Sequence, residues 1–222
     1  MSVSIVIPAY NESISISSLL KNLKSVCPKN YEIIVVNDGS TDETASIVKE
    51  IPGIKLISYK LNRGKAFALK IGFKKARYDT VATMDADGTH LSEDLIRLVK
   101  TLDGYDMVVG SRFLNNMFPE NIPFHRSLTN TIGSYVASLI LGERVTDVTS
   151  GMRIFRKKIL ESIDVKAKNL DFEPEFTSRT IRNNFKYNEI NIYADVPKGE
   201  SNLKFVRDVI SFFIAILRGK FR

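Results

Sequence analysis

Cysteine is almost absent. Cys27 is the only one in 222 residues, so no internal disulfide can form, and a reducing, cytoplasmic setting is expected. Histidine is scarce too: His90 and His125 are too few for a His-rich metal centre, and neither is assigned to a metal. No apolar run approaches the roughly 20 residues that a membrane-spanning helix needs. The longest run near the end, residues 209–217, is already broken by Ser211. The first residues pass straight into a strand pattern without a basic leader, so no signal peptide is expected. Internal repeats and low-complexity segments are also missing.

What remains is an ordinary globular composition, 44% hydrophobic and 26% charged, in a chain long enough to bury a large core. The net charge of +7 favours an anionic partner: nucleic acid, a phosphorylated substrate or an acidic membrane surface. Part of that excess lies at the end, where Lys198, Lys204, Arg207, Arg218, Lys220 and Arg222 face only Glu200 and Asp208. The same stretch is the most apolar in the chain. Residues 1–201 therefore read as one domain and 202–222 as a basic amphipathic helix. Such a helix suits the cytoplasmic face of a membrane. Packing onto the domain, a second copy of the chain or a membrane-protein partner would also bury its apolar arc.

Two periodicities alternate along the first half. Residues 2–8, 31–36, 54–59, 79–84 and 107–110 are strand-like, and 13–26, 41–50, 64–76 and 92–102 are helical. This alternation predicts an α/β fold with a mostly parallel central sheet flanked by helices. A helix over 123–141, a polar loop over 142–151, a short strand and helix over 152–163, a helix over 172–183 and a strand over 187–193 follow.

Ligands of such sheets bind beyond the carboxyl ends of the strands, so the residues there carry the search. Strand one ends in Pro8-Ala9-Tyr10-Asn11-Glu12 and strand two in Asn37-Asp38-Gly39-Ser40-Thr41-Asp42. The third ends near Asn62-Arg63-Gly64-Lys65, and the fourth in Asp85-Ala86-Asp87-Gly88-Thr89-His90. Each alone resembles turn or helix-cap chemistry. Together, on consecutive strands, they mark one site. In an extended chain Asp85 and Asp87 would point the same way, and two parallel carboxylates without a basic neighbour call for a hard divalent cation, Mg²⁺ or Mn²⁺. The other reading is that one caps the next helix while the other is solvated.

These motifs, with Gly110-Ser111-Arg112, resemble family 2 glycosyltransferases of the nucleotide-diphospho-sugar transferase (GT-A) fold. Thr149-Ser150-Gly151-Met152-Arg153 and Gly199-Glu200-Ser201 are similar to acceptor-side motifs of dolichol-phosphate mannose synthases and related polyprenyl-phosphate hexosyltransferases. The resemblance implies a nucleotide-sugar donor held by Pro8, Tyr10, Glu12 and Asp38, with Asp38 accepting from the base N–H groups and Arg63 and Lys65 close by. It implies Asp87 as a metal ligand on the pyrophosphate, with Asp85 beside it and Thr89 where relatives carry a ligating Gln. It places acceptor or donor phosphate on Arg112, Arg126 and Lys198, and acceptor contacts on Asn130, Ser150 and Arg153. Asp147 is the candidate base should the acceptor be a hydroxyl.

The expected reaction is metal-dependent and inverting. A hexose moves to a polyprenyl or dolichyl phosphate, with mannose from GDP-mannose as the leading donor. UDP-glucose or another UDP-hexose, or a glycan hydroxyl acceptor, are the alternatives. A nucleotidyltransferase would carry a Gly-rich basic loop after the first strand, which Pro-Ala-Tyr-Asn-Glu is not. A nucleic-acid-binding module rests on charge alone, and no nucleic-acid partner is expected.

Overall fold

The computed structural model describes residues 1–169, 171–193 and 214–217. Parallel strands β1 (Ser4–Ala9), β2 (Glu32–Asp38), β3 (Ile54–Tyr59) and β4 (Thr80–Thr83) alternate with helices α1 (Ile16–Val26), α2 (Thr44–Lys49) and α3 (Lys65–Lys75). Helix α4 (Ser92–Thr101), strand β5 (Met107–Ser111) and the long helix α5 (Phe124–Leu141) continue the chain. Then come β6 (Arg153–Arg156), α6 (Lys158–Ser162), α7 (Phe172–Arg182) and β7 (Tyr187–Asn191). The seven strands of the described residues form one sheet of order β3-β2-β1-β4-β6-β5-β7. The expected mostly parallel sheet is present, with one reversal: β6 runs antiparallel to both β4 and β5.

Period-2 alternation builds a core on each face. Ile5 and Ile7 of β1 join Ile33 and Val35 of β2 under α1 and α4, while Val6, Ile34 and Val36 face the opposite way, under α3 and α7. Helix α1 supplies Ile16, Leu19, Leu20 and Leu23 at helical spacing, all buried. The second core is aromatic, with Phe73 and Phe176 each in ring contact with Phe155 and Phe172. Each buried Leu or Ile contributes roughly 1.5–3 kcal/mol, so these two layers dominate the stability. Helix α5 stops at Gly142, whose left-handed φ of 67° lets its N–H close on the Ser138 carbonyl.

Most of the expected C-terminal helix lies outside the described residues. Residues 214–217 are helical; Ala215 and Ile216 are buried, and Ile216 packs with Ala137, Val145 and Val148. Ser178 Oγ donates to the Ile216 carbonyl (3.0 Å). This turn sits on the domain. No helix among the described residues is long and apolar enough to cross a membrane.

Candidate active site

Parallel strands deliver their carboxyl ends to one edge, so the loops after β1, β2 and β4 converge there. The first two are laced together. Asn11, at a φ of 56°, accepts from the Thr41 N–H (2.8 Å) and donates its own N–H to Ser40 Oγ (3.0 Å). Asp42 accepts from the Ser13 N–H and from the Thr44 N–H and hydroxyl. Burial alone would raise the Asp42 carboxyl, but these bonds hold it at about 2. Tyr10 is exposed at the rim, and Pro8 is half-buried at the end of β1.

Asp38 is placed differently from the expectation of a base-reading group. It is buried, and its two oxygens accept the Arg63 and Gly64 N–H groups, both at 2.8 Å. It holds the turn that launches α3. Gly64 sits at a φ of 92°, where a Cβ would fall 2.0 Å from the Asn169 side-chain oxygen. That turn delivers Lys65 into the site.

The Asp85–Asp87 pair does not form by extended-strand geometry. Strand β4 ends at Thr83, and Ala86 and Asp87 lie in a turn. Nor does the pair lack a basic neighbour: Lys65 Nζ lies 2.6 Å from Asp85 Oδ1 and 2.7 Å from Glu173 Oε1 at the start of α7. Burial would lower the Lys65 ammonium, yet Asp85 and Glu173 hold it raised and protonated. Burial would raise Asp85, but Lys65, then His90, keep it ionised. Gly151 closes this wall, since a Cβ there would stand 2.2 Å from Asp85 Oδ2.

Asp87 Oδ1 accepts the Thr89 N–H (3.0 Å) and the Thr89 hydroxyl (2.9 Å). Oδ2 has no hydrogen-bond partner among the described residues. Glu12 is raised, first by burial and then by the fields of Asp87, Asp85 and Asp42. These carboxylates therefore share one acidic pocket. Among the described residues no three His, Cys, Asp or Glu side chains form a complete metal cage. Hard carboxylate oxygens, too few to close a shell, fit Mg²⁺ or Mn²⁺, which keep positions for phosphate and water. Thr89, expected as a further metal ligand, gives its hydroxyl hydrogen to Asp87 Oδ1 at this same spot.

The acceptor-side residues split into two groups. Arg112, after β5, grips the fully buried Asp147 through Nε (2.6 Å) and Nη2 (2.8 Å) and also reaches Thr149 Oγ1 (2.9 Å). Burial would lower this guanidinium, but Asp147, then Asp85 and Asp87, raise it. Asp147 thus orients Arg112 and has both oxygens engaged, which removes it as a general base in this geometry. Glu189 of β7, which the sequence reading missed, accepts the Thr146 N–H (2.9 Å), the Thr146 hydroxyl and the Tyr187 hydroxyl (2.5 Å). It fixes the loop that carries Asp147.

Arg126 lies in the first turn of α5, and its side chain makes no hydrogen bond or ion pair among the described residues. It is lowered by burial and then by Arg112, against an opposing pull from Asp87, so it faces the same pocket. Asn130, Ser150 and Arg153 are not open acceptor contacts. Asn130 donates to the Thr146 carbonyl (2.8 Å), and Ser150 Oγ donates to the Gly110 carbonyl (2.6 Å). Arg153 is 1% exposed and donates to the Ser150 carbonyl and Thr177 Oγ1. All three are buried braces that fix the 146–152 loop. Lys198 lies outside the described residues.

Glu173 was also missed. In Phe172-Glu173-Pro174-Glu175 it looks like ordinary acid in a first helical turn. Nothing in the sequence ties it to Lys65.

A sheet with this strand order, bearing paired acids after β4, defines a GT-A glycosyltransferase. The model of "Glycosyl transferase family 2" matches residues 4–164, and the chain belongs to that family. A polyprenol monophosphomannose synthase of Mycolicibacterium smegmatis is 31% identical over 200 residues, spanning 85% of this chain and 75% of that protein. A UDP-N-acetylglucosamine–dolichyl-phosphate N-acetylglucosaminyltransferase of Methanococcus voltae is 32% identical over 215 residues, spanning 87% and 83%. Glucosyl-3-phosphoglycerate synthase of Mycobacterium tuberculosis, crystallised with Mn²⁺, UDP-glucose and phosphoglyceric acid, superposes with a TM-score of 0.80. That superposition covers 98% of this chain and 79% of that one; at 19% identity it speaks to the fold.

Proposed function

We propose that this glycosyltransferase moves a hexose, with inversion, from a nucleotide diphosphate to the phosphate of a polyprenyl or dolichyl lipid at the cytoplasmic face of a membrane. One observation carries the reading. The Arg126 side chain, without a partner among the described residues, lies in the fields of Arg112 and Asp87, and the same helix carries an apolar, exposed face on its other side. Phe124, Ile132, Tyr135 and Leu139 form that face of α5, at 69%, 48%, 65% and 67% exposure. A monophosphate on a long hydrocarbon suits a helix that turns a cation toward the pocket and an apolar strip outward.

A lipid monophosphate is largely a dianion at pH 7, with a second pKa of about 6. It needs no general base, consistent with an Asp147 wholly engaged by Arg112. Arg112 and Arg126 orient it. A phosphate oxygen attacks the anomeric carbon from the face opposite the diphosphate; the carbon–oxygen bond to the diphosphate breaks, and its electron pair leaves with the nucleotide. A bound Mg²⁺ or Mn²⁺ supplies positive charge to that leaving group. Asp87 would hold it through Oδ2, with Glu12 at the same pocket. Lys65 keeps Asp85 ionised and its carboxylate in place.

The donor is proposed as GDP-mannose, with UDP-hexoses as the competing class, since relatives named for both sugars match this chain equally well. Thermal shifts with GDP-mannose, UDP-glucose and UDP-N-acetylglucosamine, each with and without Mn²⁺, separate them. Transfer of the stabilising sugar to undecaprenyl phosphate should then be measurable and should vanish in Asp87→Ala. Full activity of that variant in the presence of chelator would refute the mechanism.

A further inference from the structure

His90 is 6% exposed, and its Nε2 is buried without a hydrogen-bond partner. Its other nitrogen is used: Nδ1 lies 3.1 Å from Thr89 Oγ1. The direction of that bond follows from the next one. Thr89 Oγ1 carries a single hydrogen and donates it to the carboxylate oxygen Asp87 Oδ1, 2.9 Å away. The threonine hydrogen therefore goes to Asp87, and the Nδ1 hydrogen of His90 goes to Thr89. The order is imidazole N–H to hydroxyl to carboxylate. The Thr89 N–H adds a second bond to the same oxygen.

The geometry points to His90 and Thr89 as positioning residues that aim Asp87. Both donors converge on Oδ1, so the carboxylate cannot rotate without losing them, and Oδ2 is the oxygen left to face a cation. His90 also lies within the fields of Asp85, Arg112 and Asp147, at the junction of the donor and acceptor sides. Nε2 is buried, and the contact the ring makes toward Asp87 runs through Nδ1 and Thr89. This inference rests on the nucleotide-sugar reading and deepens it: metal affinity would be set by a ring that never touches the metal. Outer partners of metal ligands typically change affinity by about 10–100-fold.

The test uses amide geometry. Asn places a donor at the position of Nδ1, and Gln places one at the position of Nε2. Mn²⁺ binding to the whole protein is measured by electron paramagnetic resonance, with UDP and with GDP, for wild type, His90→Asn, His90→Gln, Thr89→Ser and Thr89→Val. Metal-free nucleotide affinity and Tm are measured alongside. Thr89→Val and His90→Gln should weaken Mn²⁺ binding by about 10-fold or more, while His90→Asn and Thr89→Ser lose a few-fold at most. Nucleotide affinity without metal should be the same throughout. His90→Gln matching His90→Asn, or Thr89→Val binding Mn²⁺ like wild type, would overturn the relay. Wild-type protein that binds neither nucleotide in the presence of Mn²⁺ would overturn the donor reading, and the relay with it.

Discussion

Arg112 and Asp147 meet through two near-parallel bonds, Nε to Oδ2 and Nη2 to Oδ1, and the Arg112 backbone N–H adds a third to Oδ2 (3.1 Å). The acid is fully buried, and the guanidinium is nearly a quarter exposed. The pair therefore presents one cationic face outward with its back fixed. Asp147→Asn should leave Arg112 free to swing. Removing one partner of a buried pair costs about 3–5 kcal/mol. The expected result is a lowered Tm with the KM for lipid phosphate raised far more than the KM for the sugar nucleotide. A general base would instead lose kcat with both KM values unchanged.

Gly151→Ala tests the wall behind Asp85. The added methyl would stand 2.2 Å from the Asp85 carboxylate, so either the acid or the loop must move. Activity should fall by about 10²-fold, the effect of an ångström-scale misplacement of a site group. Circular dichroism should stay native. Gly133→Ala, where the nearest atom is 3.6 Å away, should be close to neutral and serves as the control.

Acid stability should carry the signature of Asp42. Its folded carboxyl titrates at about 2, against an ordinary value of 3.8. A depressed folded value means the stabilisation is complete above 3.8 and is lost as the pH falls toward 2. Allowing for solvent screening of this exposed group, the contribution is on the order of 1 kcal/mol. Urea unfolding of Asp42→Asn should show a flatter pH dependence between those values than wild type. Identical slopes would contradict the assignment.

Membrane contact through α5 is checked by charge. Ile132→Lys with Leu139→Lys places two cations on an already exposed strip, so the fold should be unaffected. Binding to neutral phosphatidylcholine vesicles in flotation assays should drop. Turnover of a short, water-soluble polyprenyl phosphate should be unchanged.

Much of this fold was legible because strands and helices write different periods into the chain. Ile5 and Ile7 against Val6, or Leu19, Leu20 and Leu23 along α1, announce their faces locally. The strand-end motifs were legible for the same reason, since parallel strands must bring their carboxyl ends together. Partnership was not. Lys65 reaches Glu173, Asp147 reaches Arg112 and Glu189 reaches Thr146 across long stretches of chain, and no acid's own segment names its partner. Asn130, Ser150 and Arg153 were read as acceptor contacts because their segments resemble the acceptor side of the mannose synthases. Burial turned them into braces instead. The direction of β6 also depends on contacts that no local pattern records.

That reversed strand has a consequence for how substrate choice is distributed. An antiparallel strand starts where its parallel neighbours finish, so residues 142–152 enter the sheet at the brim of the pocket and rest against both Asp85 and Arg112. Under the proposed function, recognition of the incoming sugar and of its recipient falls to separate stretches that share a single partition. Grafting that partition from a relative with another recipient should retarget the enzyme while the nucleotide cradle stays untouched.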